Sequence, residues 1–279
     1  MPNPLRIASL TILAMLAFAS NSLLCRIALR DTAIDAATFT SIRLISGAVL
    51  LAALMIGRGH RPWAGGNWRA AAMLFAYAVT FSFAYRQLTA ATGALLLFGA
   101  VQLTMLGYGL ATGERLRGAQ WLGLLVALAG LVGLLLPGLA APPLASAALM
   151  LAAGAAWGVY SLLGRGLTDP VAATAGNFLR AVPLTAALSL AAVAQTSSDT
   201  MGVVYAIASG AITSGLGYVL WYAALPAFKA ASAATIQLSV PALAALGGVL
   251  LLGEQMSLRL LVASVAILGG IALVILRRS

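Results

Sequence analysis

Phe18-Ala19-Ser20-Asn21-Ser22-Leu23-Leu24-Cys25-Arg26 has a counterpart further along the chain, Trp157-Gly158-Val159-Tyr160-Ser161-Leu162-Leu163-Gly164-Arg165. Both stretches open on an aromatic residue and close on serine, two leucines, one variable residue and arginine. The correspondence continues outward. Arg43 answers to Arg180, Ala84-Tyr85 to Trp221-Tyr222, Gly113-Glu114 to Gly253-Glu254, and Leu128-Ala129-Gly130 to Leu268-Gly269-Gly270. The chain therefore reads as two copies of one unit, 1–138 and 144–279. The quality of the match also argues against a cleaved leader, although Ala17-Phe18-Ala19 resembles a signal-peptidase site.

Composition says where such a chain lives. Its 279 residues are 62% hydrophobic and 8% charged, with a mean hydropathy of +1.02. A water-soluble domain carries about three times that share of charge, so these residues cannot coat a water-facing surface. Cys25 is the sole cysteine, which excludes a disulfide scaffold. The apolar stretches number ten: 5–29, 36–57, 67–88, 92–112, 118–136, 144–165, 170–194, 201–225, 228–252 and 257–276. Each approaches the roughly 20 residues that cross a bilayer. Helix breakers separate them, among them Gly57-Arg58-Gly59-His60-Arg61-Pro62, Pro137-Gly138, Pro142-Pro143 and Thr168-Asp169-Pro170. The expected fold is an all-α membrane protein of ten transmembrane helices. Five is odd, so the two five-helix repeats should lie inverted in the membrane, an arrangement typical of carriers.

A net charge of +10 would suggest nucleic acid in a soluble protein. Here no basic run is longer than Arg277-Arg278, and the excess reads as a mark of cytoplasmic loops. With both termini cytoplasmic, ten basic residues fall inside (Arg6, Arg58, Arg61, Arg69, Arg115, Arg117, Arg165, Lys229, Arg277, Arg278). Four fall outside: Arg26, Arg30, Arg86 and Arg259. That bias sets the orientation. Arg43 and Arg180 fall within spans, where each either snorkels and pairs with carbonyls, or holds a substrate carboxylate or closes a gate.

Catalytic motifs are absent. There is no HExxH, Walker loop, GxSxG or cluster of cysteine and histidine, so neither an enzyme nor a bound metal or other cofactor is expected. Asp31, Asp35, Glu114, Asp169, Asp199 and Glu254 all fall at helix ends or in loops. Proton-driven carriers commonly keep a carboxylate within the membrane. The expectation here is downhill transport without one.

Aromatic residues supply the positive signal. Tyr77, Phe81 and Tyr85 share one face of the third helix, and Tyr218, Trp221 and Tyr222 one of the eighth. Trp157, Tyr160 and Ser161 do so on the sixth, Phe98 and Gln102 on the fourth, and Phe18 with Asn21 or Ser22 on the first. Gln237 lies four residues before Pro241. Singly, such residues serve packing or interfacial belts. Jointly, with amides at mid-span that lipid could not satisfy, they suggest a substrate cavity. The candidate substrate-binding set is Phe18, Asn21, Tyr77, Phe81, Phe98, Gln102, Trp157, Tyr160, Tyr218, Trp221, Tyr222 and Gln237. Arg43, Arg180 and Pro241 are candidates for gating or structure. Gly154 and Gly158 could mark a dimer face, although a monomer is favoured. Gly123, Gly130, Gly133, Gly269 and Gly270 should bring the fifth and tenth helices, expected at the periphery, against their own halves.

Leu238-Ser239-Val240-Pro241-Ala242, followed by Leu251-Leu252-Gly253-Glu254, resembles the recurrent motif of the drug/metabolite transporter superfamily. The Gly113-Glu114, Arg43 and Arg180 copies and the Trp157-to-Arg165 stretch are similar to its EamA-type repeat. The first repeat departs from the pattern, with Val101 where the second has Pro241, so a proline kink should be one-sided. The resemblance implies a bacterial inner-membrane exporter of small neutral or zwitterionic metabolites, above all amino acids including aromatic ones, working by alternating access. An exporter of drugs or other metabolites with the same fold is the nearer alternative. A non-transporting membrane scaffold or subunit is the further one, and a solid core would favour it.

Overall fold

The computed structural model describes residues 4–113, 115–116, 118–138, 141–164, 167–228 and 236–276. Glu114, Arg117, Arg165, Lys229, Arg277 and Arg278, which entered the orientation and repeat arguments, lie outside the described residues. Among those described there are ten helical rods and no strand. They are α1 (Pro4–Asp31), α2 (Ala36–Gly57), α3 (Trp68–Tyr85), α4 (Ala90–Ala111) and α5 (Gly118–Leu135), then α6 (Leu144–Leu163), α7 (Pro170–Ala191), α8 (Thr200–Ala227), α9 (Ser239–Leu252) and α10 (Leu258–Leu276).

Helix starts follow from short polar side chains. The carboxylate of Asp35 accepts from the Ala37 and Thr38 amides and starts α2. Asn67, Thr89, Asp169 and Asp199 do the same for α3, α4, α7 and α8, accepting from Ala70, Thr92, Ala172 and Gly202. Each supplies an acceptor that the first turn lacks. Pro170 opens α7 without cost, because its missing N–H would have been unbonded there. Gly253 ends α9 with φ 62°, a left-handed conformation that glycine adopts freely.

Eight of the rods are long and apolar enough to cross a membrane. Two of the ten expected spans, 67–88 and 228–252, do not reach that mark among the described residues, and 229–235 of the second lie outside them. In α3, Arg69, two tyrosines, Thr80 and Ser82 dilute the hydropathy. The regular helix of α9 has 14 residues, about 21 Å against a hydrocarbon core of about 30 Å. The expected kink at Pro241 is also placed differently. Pro241 sits in the first turn of α9, and the chain breaks at Leu238, just after helical Ile236 and Gln237. Proline cannot donate to the carbonyl four residues back, which is that of Gln237.

The π-helical stretch Ala208–Leu216 within α8 was not anticipated. Gly210 lies there against α2, so close that a Cβ would run into the Arg43 carbonyl.

The principal packing partners are preserved when the halves are exchanged. Helix α3 packs on α6 and α7, and α8 on α1 and α2. Helix α4 meets α6 as α9 meets α1, while the counterparts α2 and α7, α4 and α9, and α5 and α10 pack on one another. Two glycine expectations change here. Gly154 and Gly158 admit Leu97, Ala100 and Thr104 of α4, so their face is covered within the chain. Gly123, Gly130 and Gly270 bring α5 and α10 against each other rather than against their own halves, whereas a Cβ added at Gly133 or Gly269 would meet nothing within 4 Å. Large apolar residues of α5 and α10, including Leu122, Leu125, Leu261 and Val265, are exposed, which places both helices at the rim.

Candidate functional site

Where α1, α3, α4, α6 and α8 converge, a small cavity is walled by Phe18, Asn21, Ser22, Tyr77, Phe81, Leu97, Phe98, Trp157, Thr213, Ser214, Tyr218 and Gln237. It leaves about 20 Å³ for the centres of water-sized spheres, room for one or two waters. That is far less than the volume of pockets that hold organic ligands, about 300 Å³ and more.

Eight of the twelve candidate residues stand in this wall: Phe18, Asn21, Tyr77, Phe81, Phe98, Trp157, Tyr218 and Gln237. The rings of Phe18, Tyr77, Phe81, Trp157 and Tyr218 form one connected cluster. Trp157 lies 5.0 Å from both Tyr77 and Tyr218, Tyr77 5.2 Å from Phe81, and Phe18 5.9 Å edge-on to Tyr218. Tilted and edge-on pairs at these distances avoid face-to-face repulsion between ring quadrupoles.

Four candidates stand behind the wall. Tyr160 backs Trp157 at 5.4 Å and accepts from Asn177. Trp221 meets Phe18 edge-on at 6.3 Å. The Tyr222 hydroxyl reaches toward Gly164. Gln102 is buried with its amide nitrogen unpartnered among the described residues. Ser22 enters the wall as the alternative to Asn21 on the same face of α1. Leu97, Thr213 and Ser214 were missed. Leucine carries no polar or aromatic signal, and the other two carry small hydroxyls of a kind that also serves ordinary helix packing.

A polar chain underlies the aromatic wall. Ser209 and Thr213 donate to Asn21 Oδ1 at 2.8 and 3.3 Å. Asn21 Nδ2 donates to the Tyr77 hydroxyl at 3.2 Å, and Arg43 Nη2 donates to the same oxygen at 3.1 Å. Arg43 Nε and Nη2 both donate to Ser214 Oγ, at 3.4 and 3.3 Å. Arg43 is the largest fully buried side chain, 1% exposed, with its guanidinium 5.1 Å from the Tyr77 ring centre and 5.0 Å from that of Phe81. Ring faces attract a cation and offset part of its lost hydration. No carboxylate balances it, because the ion pairs among the described residues are Arg26–Glu254 and Arg30–Asp31. Its Nη1 is unpartnered among the described residues.

Arg180 differs. It donates to the carbonyls of Gly65 at 2.6 Å, Gly176 at 3.0 Å and Trp63 at 3.3 Å, fastening the segment between α2 and α3 onto α7. Pro241 is buried next to the break after Gln237.

The end of the bundle where α1 finishes is tied by further bonds. Glu254 accepts from Arg26 Nε at 3.2 Å and from the Ala90 amide at 2.8 Å. Arg26 Nη1 also donates to the carbonyls of Tyr85 and Arg86. Arg259 caps the carbonyls of Gly133 and Leu136. Asp35 accepts from Ser197, while its own amide donates to the Ser197 carbonyl. Burial raises the Asp35 pKa, but bonds from Thr38, Ser197 and Ala37 outweigh it and hold the carboxyl below its ordinary range. Bonds from the Gly202 and Ala33 amides likewise lower that of Asp199.

A helical bundle with membrane-length apolar rods, packed as two equivalent halves around an aromatic cavity, defines a multi-pass membrane protein with the build of a transporter. The chain belongs to the EamA-like transporter family, whose model matches it twice, over residues 5–136 and 144–276. It is 60% identical over 270 residues to an uncharacterized protein of Pseudomonas aeruginosa, PA1977, a match that covers 96% of this chain and 94% of that one. A solved crystal structure has the same fold, with a TM-score of 0.66 at 21% identity over 98% of this chain and 99% of the other.

Proposed function

We propose that this chain exports small neutral or zwitterionic metabolites, amino acids including aromatic ones above all, across a bacterial inner membrane. The units 1–138 and 144–279 are two inverted five-helix repeats, ten spans in all, with both termini cytoplasmic. Transport proceeds by alternating access, the halves rocking about a site between them. The observation that carries this reading is the cavity, in which aromatic rings from α1, α3, α4, α6 and α8 surround a chain of hydrogen-bonding groups. A lipid-facing bundle or a scaffold has no use for mid-membrane amides aimed at one point. The substrate class rests on that chemistry and on the overall likeness to the bacterial amino-acid exporter YddG. Aromatic walls suit an apolar or aromatic side chain, whereas a dianionic phosphate ester would ask for several cations. One chain suffices, since the Gly154 and Gly158 face is covered by α4. Lipid is the only other partner, with no nucleic acid and no cofactor.

The test is downhill flux in proteoliposomes with a panel of labelled amino acids. The expected result is saturable flux of aromatic amino acids that survives collapse of the proton gradient. No flux of any amino acid would overturn the substrate class, and substrate-dependent proton movement would overturn the uncoupled mechanism. Cysteine labelling of positions 58–66 on a Cys25-free background should succeed only from the cytoplasmic face.

A further inference from the structure

Counting lone pairs and protons along the polar chain gives a result that the aromatic wall does not. Asn21 Oδ1 accepts from Ser209 at 2.8 Å and shares the single Thr213 proton, at 3.3 Å, with the Ser209 carbonyl at 2.9 Å. The Tyr77 oxygen accepts two, from Asn21 and Arg43. Ser214 Oγ accepts both Arg43 Nε and Nη2. A hydroxyl oxygen has two acceptor positions and one proton. The acceptor positions of Tyr77 and Ser214 are thus filled, and what each retains is its O–H. Arg43 retains the protons of Nη1, which have no partner among the described residues. Every free valence of Arg43, Tyr77 and Ser214 is a donor, and a whole positive charge stands directly behind two of them. Tyr77 and Ser214 line the cavity, and Arg43 is 1% exposed.

A buried cation surrounded by neutral groups, with donors left over, is complementary to an anion. One cation and no second beside it fit a single negative charge. Among the lining residues no carboxylate answers an ammonium with charge, and the acceptors left there are the neutral oxygens of Ser22, Thr213 and Gln237.

We infer that the site selects its substrate by a carboxylate seated on the Arg43–Tyr77–Ser214 cluster, and that it is indifferent to the ammonium group. Its substrates are therefore monocarboxylates with an apolar or aromatic body, among which amino acids are one case. This inference rests on the transport reading above and narrows it. Tyr77 and Ser214 orient the carboxylate through their hydroxyl protons, and Arg43 provides the charge.

The experiment compares three probes of one shape on the reconstituted full-length protein. These are phenylalanine, phenylalaninamide (no carboxylate) and 3-phenylpropionate (no ammonium), each competing with labelled phenylalanine and each assayed for quenching of intrinsic tryptophan fluorescence. Loss of a charge-assisted hydrogen bond should weaken phenylalaninamide by about tenfold to a hundredfold, while 3-phenylpropionate stays within a few-fold of phenylalanine. Tyr77→Phe keeps the ring and removes the donor. It should weaken phenylalanine and 3-phenylpropionate about equally and leave the weak binding of phenylalaninamide unmoved. The wild-type comparison needs no variant to fold. Equal binding of all three probes would overturn the carboxylate rule and leave the transport reading standing, as would rejection of 3-phenylpropionate alone. Competition by chloride at concentrations that match the carboxylate probes would assign Arg43 to an inorganic ion and overturn it too. Absence of both flux and quenching with every probe would sink the transport reading itself.

Discussion

Arg43 and Arg180 occupy the same position in the two halves and live in opposite surroundings. Arg180 reaches the edge of the bundle, where three carbonyls satisfy it. Arg43 turns inward, is sealed by aromatic rings, and ends on two hydroxyls from different halves. Those hydroxyls are themselves related, because the offset that takes Arg43 to Arg180 also takes Tyr77 to Ser214. One arginine is thus gripped by the same position of both repeats, while its twin is left to fasten a loop. Duplication provides two equal parts, and the single space between them has room for only one cation.

Replacement separates the two most sharply. Arg43→Met should reduce flux by about a hundredfold, the upper range for a hydrogen bond to a charged group. It should leave thermal stability unchanged or raise it, since replacing a buried charge by an apolar group of similar length removes a desolvation penalty of several kcal/mol. Detergent-solubilised melting and proteoliposome flux check both. A fall in stability together with flux would make Arg43 structural and erase the contrast. Arg180→Met should do the reverse, lowering stability by about 1–3 kcal/mol as the Gly65 and Trp63 carbonyls lose their donor, with flux per folded molecule preserved.

The aromatic wall sharpens the comparison at smaller scale. Trp157→Ala removes contacts worth about 0.5–1.5 kcal/mol beyond area burial and should weaken substrate several-fold. Trp63→Ala, at a side chain 61% exposed, should be neutral once expression is corrected. Normal transport by Trp157→Ala with a defect in Trp63→Ala would move the site elsewhere. The smallest effect concerns Asp35, which starts α2. Its carboxyl is held below its ordinary range, so its stabilising contribution is complete above the unfolded value of about 4 and is lost as pH falls through the lower folded value. Asp35→Ala should cost about 0.5–2 kcal/mol at neutral pH, with the gap to wild type closing in acid.

These contrasts bear on what could be read without coordinates. The duplication was legible from matched stretches of the two halves, and the aromatic faces from spacing within one helix. Seven cavity residues followed from those faces, and Gln237 from its place four residues before Pro241. The different fates of Arg43 and Arg180 were not legible, since identical residues at identical positions carry no mark of which one the partner half encloses. Ser214 and Thr213 escaped for a second reason. They carry small hydroxyls, which in a chain rich in small residues read as packing, and they lie on the π-helical part of α8. The glycines of α5 and α10 announced close approach but not to which helix.

That last contact has a mechanical consequence. A Cβ on Gly123 would stand 2.6 Å from the Gly270 carbonyl oxygen, and one on Gly270 2.5 Å from that of Gly123, so the two backbones touch with nothing adjustable between them. Helices α5 and α10 are counterparts, and a contact between counterparts straddles the axis that relates the halves. When the halves rock as the proposed cycle requires, contacts away from that axis open on one side and close on the other, while those upon it only turn. The glycine seam is in that sense a fulcrum. It sits at the exposed rim, away from the cavity, and in the proposed cycle it would hold the line about which the halves turn.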